Sequence, residues 1–164
     1  MKIVILAILL VISIYIGYIF SKKYKTRENF FSALVMLCQK FDVEINYSRQ
    51  RLKNIFSSLD EKQKKALCGI SDNFLSFIDK ETPLEKEFLF KGINFLKEDE
   101  KDLIFMFFKS LGRSDVDSQS KEIKNFQSRF ESLTTSAINE NKKYGKLSIK
   151  LGIVLGLFIF VLFI

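Results

Sequence analysis

Two uncharged apolar runs bracket a long middle in which apolar residues recur every three or four positions. The first run, Ile3 to Phe20, holds eighteen residues without a charge. At about 1.5 Å per residue it spans roughly 27 Å, close to the hydrocarbon thickness of a bilayer. A cleaved signal peptide has a shorter apolar core and a small-x-small cleavage site. Here Ser21-Lys22-Lys23-Tyr24-Lys25 comes directly after it, so the run reads as an uncleaved anchor. The second run, Leu151 to Ile164, is fourteen residues long and becomes eighteen when counted from Leu147. Lys150 then sits near the interface, where its long stem can carry the ammonium to the headgroups. With no polar face, and with the sequence ending inside it, this run does not read as a core helix. Gly152 and Gly156 form a G-x-x-x-G, the spacing that lets two membrane helices approach closely. The motif is weak by itself, because glycine is common in membrane helices.

Residues 27–141 read as helices throughout, without strand alternation and with Pro83 as the single proline. Phe30, Phe31, Leu34, Leu37, Cys38, Phe41 and Ile45 make one helical stripe. Asn46-Tyr47-Ser48 reads as a break, with Ser48 as N-cap of a short helix through Leu52, Ile55, Phe56 and Leu59. Asp60 caps the next helix, in which Leu67, Ile70, Phe74, Phe77 and Ile78 repeat across Gly69. Thr82-Pro83 predicts another start, an N-cap followed by proline at the first helical position, for a helix carrying Leu84, Phe88, Leu89 and Ile93. The acids of residues 98–102 favour a further N-terminus through the helix dipole, ahead of Leu103, Ile104, Phe107, Phe108 and Leu111. Gly112 stands where a C′ glycine belongs, and Ser114 or Asp115 caps the next helix. Val116, Ile123, Phe126, Phe130, Leu133 and Ala137 approximate a heptad seam. Nothing breaks it before Tyr144-Gly145, which predicts a last helix leading nearly straight into the second apolar run.

The expected fold is all-α. A bundle of about six helices over residues 22–146 is flanked by an N-terminal transmembrane anchor, 1–21, and a C-terminal transmembrane helix, 147–164. Eighteen phenylalanines supply large buried surface, and around 120 residues suffice for one bundle core.

Charge gives the orientation. Lys22, Lys23, Lys25 and Arg27 follow the first run, and Lys142, Lys143, Lys146 and Lys150 precede or enter the second. The positive-inside rule places both inner flanks, and so the whole middle, in the cytoplasm, with both termini across the membrane. These eight of the 26 basic residues account for the net charge of +7 as membrane edges that meet anionic lipid. No basic patch interleaved with aromatics points to nucleic acid.

Catalytic chemistry finds no constellation. The chain has no histidine, so neither a Ser-His-Asp nor a Cys-His relay can be assembled, and no G-x-x-x-x-G-K-[ST] occurs. Cys38 falls in an apolar stripe and reads as a small core residue; Cys38 and Cys68 lack a C-x-x-C, and a structural disulfide is unusual in a reducing compartment. The stretch Leu111 to Gln119, LGRSDVDSQ, invites a calcium-loop test. Counted from Asp115, the required glycine is Ser120 and the required glutamate is Phe126, so the test fails. Glu98, Asp99, Glu100 and Asp102 read as a solvated helix start rather than a metal site. No cofactor, metal or catalytic residue is expected, and the chain reads as no enzyme.

The anchor, the helical middle, the string LGRSDVDSQ and the ending KKYGKLSIKLGIVLGLFIFVLFI together resemble the stage III sporulation protein AB family over essentially the whole chain. The most specific positions are Leu111, Gly112, Ser114, Asp115 and Gln119. Leu34 through Leu37 to Glu44-Ile45 and the basic-Tyr144-Gly145 junction come next. A phenylalanine- and lysine-rich composition and the lack of tryptophan depart from the family. The resemblance implies a membrane component of the channel complex joining mother cell and forespore, in the mother-cell membrane around the forespore. It implies a cytoplasmic domain similar to the six-helix domain of the inner-membrane platform protein of type II secretion and type IV pilus machines. Its implied partners are the stage III sporulation ATPase, protein AA, other channel-complex membrane proteins and a second copy of itself. Glu44, Leu111, Gly112, Arg113, Ser114, Asp115 and Gln119 are then the family-signature or partner-contact candidates. A structural helix corner is the preferred reading of that signature, with Arg113 and Gln119 as the residues open to a partner. A membrane-tethered module binding anionic lipid or nucleic acid through the lysine flanks is the alternative.

Overall fold

A computed structural model of the chain describes residues 2–48, 52–80, 84–112 and 115–163. Among these residues all regular structure is helical: α1 Lys2–Val43, α2 Leu52–Ser57, α3 Glu61–Ala66, α4 Ile70–Lys80, α5 Lys86–Leu89, α6 Glu98–Ser110, α7 Val116–Glu140 and α8 Lys146–Phe163. A π-helical turn, Glu44–Ser48, ends α1, and a second, Asn141–Gly145, joins α7 to α8. The all-α expectation holds, with a helix at each end long and apolar enough to cross a membrane.

Several boundaries differ from the pattern-based expectation. The first apolar run and the first amphipathic stripe are one helix of 42 residues. Hydropathy changes at Ser21, but no glycine or proline interrupts the backbone there, and the adjoining lysines, arginine and glutamate are good helix formers. Ser48, expected as an N-cap, is instead the last residue of the π turn that ends α1, and α2 begins at Leu52. Asp60 does cap: its carboxylate accepts the Gln63 N–H at 2.6 Å, and Gln63 Oε1 accepts the Asp60 N–H at 3.3 Å. The helix it starts ends at Ala66, however, because Cys68 and Gly69 adopt positive φ, 52° and 81°. Two helices, α3 and α4, stand where the periodicity predicts one. Thr82 and Pro83 lie outside the described residues; the helix expected after them is only the single turn α5, closed before Gly92 at φ 79°. Val116, counted in the seam, is 38% exposed.

The chain packs as two compact units, residues 1–28 with 135–164, and residues 29–134. In the second unit α1 buries Phe30, Phe31, Leu34, Leu37, Cys38 and Phe41, each at most 1% exposed. Phenylalanine rings dominate the rest of that core. Phe41 meets Phe56 and Phe107, Phe74 meets Phe108 at 4.9 Å between ring centroids, and Phe107 meets Phe126 and Phe130 at 5.4 and 5.5 Å. Most of these pairs are edge-to-face or tilted, the geometry the ring quadrupole favours. Cys38 is buried among them, and burial, with the Glu131 charge adding to it, pushes its thiol up to about 12. It is a neutral core residue, as the stripe predicts.

Candidate functional site

The unit formed by residues 1–28 and 135–164 is an antiparallel hairpin of α1 against the end of α7 and α8. Small residues set its closest approach. A Cβ added to Gly17 would lie 2.6 Å from the Ser148 carbonyl oxygen, and one added to Gly152 would lie 2.8 Å from the Ser13 carbonyl. Gly156 faces Leu10 and Ser13 in the same way, at 3.3–3.4 Å. The Ser13 hydroxyl donates to the Gly152 carbonyl at 2.8 Å, a hydrogen bond between the two helices. The G-x-x-x-G of α8 is therefore filled by α1 of the same chain. Its partner motif, Ser13-x-x-x-Gly17, has small-xxx-small spacing. That spacing is present in the sequence, but a lone serine in an apolar run does not single it out.

Toward residue 28 the hairpin turns polar. Tyr24 stacks on Tyr144, with centroids 5.9 Å apart. Arg27, only 5% exposed, places Nη1 2.5 Å from Glu140 Oε2. Glu28 accepts from Asn141 Nδ2 and from Lys25 Nζ, both at 2.6 Å. Burial works to raise the Glu28 carboxyl, but the hydrogen bonds from Lys25 and Asn141 outweigh it and hold the group below its ordinary range. Asn141 opens the π turn at the end of α7, so the extra residue of that turn lies where the polar contacts are made. Sequence reasoning misses both pairs, since partners 113 residues apart leave no local pattern.

The second candidate is the LGRSDVDSQ corner, which answers to geometry rather than to ligand chemistry. Leu111 ends α6 in extended conformation, and Gly112 comes next at φ 77°, a region that costs other residues about 1–2 kcal/mol. Asp115 Oδ2 accepts the Ser118 N–H at 3.2 Å, capping α7. Its hydrogen bonds with Ser118 hold this exposed carboxyl below the ordinary aspartate value. Gln119 is 3% exposed and spans the corner: Oε1 accepts the Gly112 N–H at 2.9 Å, and Nε2 donates to the Ser110 carbonyl at 3.4 Å. Ser120 then donates to Asp42 Oδ1 at 2.5 Å, tying α7 to the end of α1, with Asn46 and Lys124 completing the cluster around Asp42. Arg113 and Ser114 lie outside the described residues. Glu44 opens the first π turn, and its Oε2 is buried and has no hydrogen-bond partner among the described residues.

Replacing Gln119 by leucine leaves the Gly112 N–H and the Ser110 carbonyl without this partner, an expected loss of about 1–3 kcal/mol. Denaturant unfolding of the full chain in mild detergent measures it. Gln119→Glu keeps the acceptor for Gly112 and is expected to lose less. The cap is also pH-sensitive. Asp115 and Glu28 both have folded-state values lowered below their ordinary 3.8 and 4.5, so their contributions are complete above those values. They fade as pH falls through the lower folded values. Stability followed from pH 6 to pH 2 is expected to decline less steeply in Asp115→Asn, because asparagine still caps but does not titrate.

Beside Asp42 an open groove of about 450 Å³ runs between α1 and α7, lined by Gln39, Asp42, Val43, Lys124, Gln127 and Glu131 among others. Val43 is 54% exposed there. No group of three or more cysteine, aspartate or glutamate residues that could hold a metal occurs among the described residues. The geometry therefore offers a packed helix hairpin with a polar, basic end, and a helical bundle in which Gly112, Asp115 and Gln119 build the corner between α6 and α7. Comparison with curated proteins and with solved structures returned no match. A family model does match, over residues 2–164: the chain belongs to the stage III sporulation protein AB family.

Proposed function

We propose that the chain is a non-enzymatic membrane platform of the mother cell–forespore channel, a type II secretion-like complex needed for endospore formation. The hairpin of α1 and α8 crosses the mother-cell membrane around the forespore. Residues 29–134 lie in the cytoplasm and dock the stage III sporulation ATPase, protein AA. The observation that carries the reading is the family match over the whole chain, which is consistent with a role in sporulation. Two features support the finer picture. Both basic flanks lie on the inner side of the two apolar runs, the arrangement the positive-inside rule reads as cytoplasmic. The sequence has no histidine and no G-x-x-x-x-G-K-[ST] loop, which supports binding and mechanical coupling rather than histidine- or P-loop-based catalysis as the work of the bundle. The groove beside Asp42 and Val43 is the docking face we favour, since it pairs exposed apolar surface with the carboxylates of Asp42 and Glu131.

The test is co-elution of the full chain, solubilised in mild detergent, with the ATPase at moderate salt, with and without nucleotide. A stoichiometric complex that Val43→Arg weakens at least tenfold is the expected result. Separate elution of the two proteins, with the chain still helical by circular dichroism, would refute the ATPase assignment.

A further inference from the structure

The register of the hairpin brings two lysine-rich flanks, about 120 residues apart in sequence, to one level. Tyr24 stacks on Tyr144, and a Cβ on Gly145 would lie 3.7 Å from Ser21 Oγ. Lys22, Lys23, Lys143 and Lys146 are therefore within about one helical turn of one another along the axis, roughly 5 Å. All four are exposed, as are Lys142 and Lys150 on either side of them. At the same level Glu28 accepts from Lys25 and Asn141, with the Lys142 charge also acting on it, and Glu140 pairs with Arg27. Immediately beyond the lysines the surface becomes apolar, with Phe20, Leu147 and Leu151 44–56% exposed.

We infer that this lysine collar is a binding site for anionic phospholipid headgroups, in which one phosphate is shared by ammonium groups from both helices. The inference rests on the membrane reading of the hairpin and not on the ATPase docking. A phospholipid fits both halves of the surface, its acyl chains along the exposed apolar side chains and its phosphate among the lysines. A nucleic acid would meet the same charge but has no use for the apolar flank, and Tyr24 and Tyr144, the rings among the lysines, are stacked on each other. Neither lysine flank alone makes the site; the helix pairing does.

The experiment uses the full chain in uncharged detergent at moderate salt, titrated with short-chain phosphatidylglycerol or phosphatidylcholine and read by native mass spectrometry. Phosphatidylglycerol is expected to bind at least about tenfold more tightly than phosphatidylcholine. K22Q/K23Q/K143Q/K146Q is expected to abolish the preference, while K22R/K23R/K143R/K146R and the equal charge change K62Q/K65Q/K91Q/K121Q retain it. Equal binding of the two lipids, or an equal loss in the K62Q/K65Q/K91Q/K121Q chain, overturns the site. So does displacement of phosphatidylglycerol by an equal concentration of glycerol phosphate or of a single-stranded oligonucleotide, which would mark a site for soluble polyanions. Flotation with phosphatidylcholine vesicles separates the two readings. A chain that floats but shows no headgroup preference refutes only the collar; one that fails to float refutes the membrane reading as well.

Discussion

Phe107→Ala is expected to cost the bundle about 3–5 kcal/mol, the range for removing a large aromatic from a packed core. Phe107 is fully buried, and its ring meets those of Phe41, Phe108, Phe126 and Phe130. Its loss therefore removes packing from α1, α6 and α7 together, and the neighbours are too large and too mutually constrained to collapse into the space. Against a typical domain stability of about 5–15 kcal/mol, such a loss is a large fraction of the whole. The neighbouring Met106 is 58% exposed, and Met106→Ala is expected to stay within about 0.5 kcal/mol of the parent. Thermal or denaturant unfolding of both variants, followed by circular dichroism, measures the contrast. Equal effects would contradict the placement of α6 in the core.

Gly152→Leu is the second change with a large expected effect. A Cβ at this position would lie 2.8 Å from the Ser13 backbone carbonyl, and backbone cannot yield as a flexible side chain does. The two helices must separate, which also breaks the 2.8 Å bond from the Ser13 hydroxyl. Hydrogen bonds between membrane helices are individually modest, about 0.6–2 kcal/mol, so the loss of close packing along the whole seam is the larger part. Gly17→Leu is expected to behave alike, since its Cβ would meet the Ser148 carbonyl at 2.6 Å. Leu155→Val, at a position 56% exposed, is the control. Spin labels at Val11 and Val154 report the separation: a longer distance in both glycine variants and an unchanged one in the control is the expected pattern.

How much of this can be read from residues alone depends on the range of the interaction. The apolar runs, the stripe from Phe30 to Phe41, the Asp60 cap and the Gly112–Asp115 corner are local patterns, and each lies where the spacing places it. Helix boundaries are less legible. Continuity of α1 through Ser21 is decided by backbone propensity, which a fall in hydropathy does not report, while the break at Cys68 is decided by a φ of 52° in a non-glycine residue. The long-range parts are not legible at all. Arg27 with Glu140, Glu28 with Asn141 and Ser120 with Asp42 join residues 78 to 113 positions apart. Gln119 is one such case. From the sequence it reads as a residue open to a partner; in the structure its side chain is buried and bonded to both sides of the corner. Gly17 and Ser13 are the opposite case, residues with no individual signal that acquire a role once α8 is placed beside them.

The central claim is that the two ends form a hairpin through the membrane and hold residues 29–134 on the cytoplasmic side. Thiol labelling with a membrane-impermeant reagent tests it most directly, in a Cys38→Ala/Cys68→Ser chain carrying one new cysteine at a time. In host cells that form no forespore and so carry the chain in the outer cell membrane, a cysteine replacing Lys65 is expected to label only after permeabilisation, and one appended after Ile164 is expected to label in intact cells. Labelling of the Lys65 position from outside, or of the appended cysteine only after permeabilisation, would contradict the account.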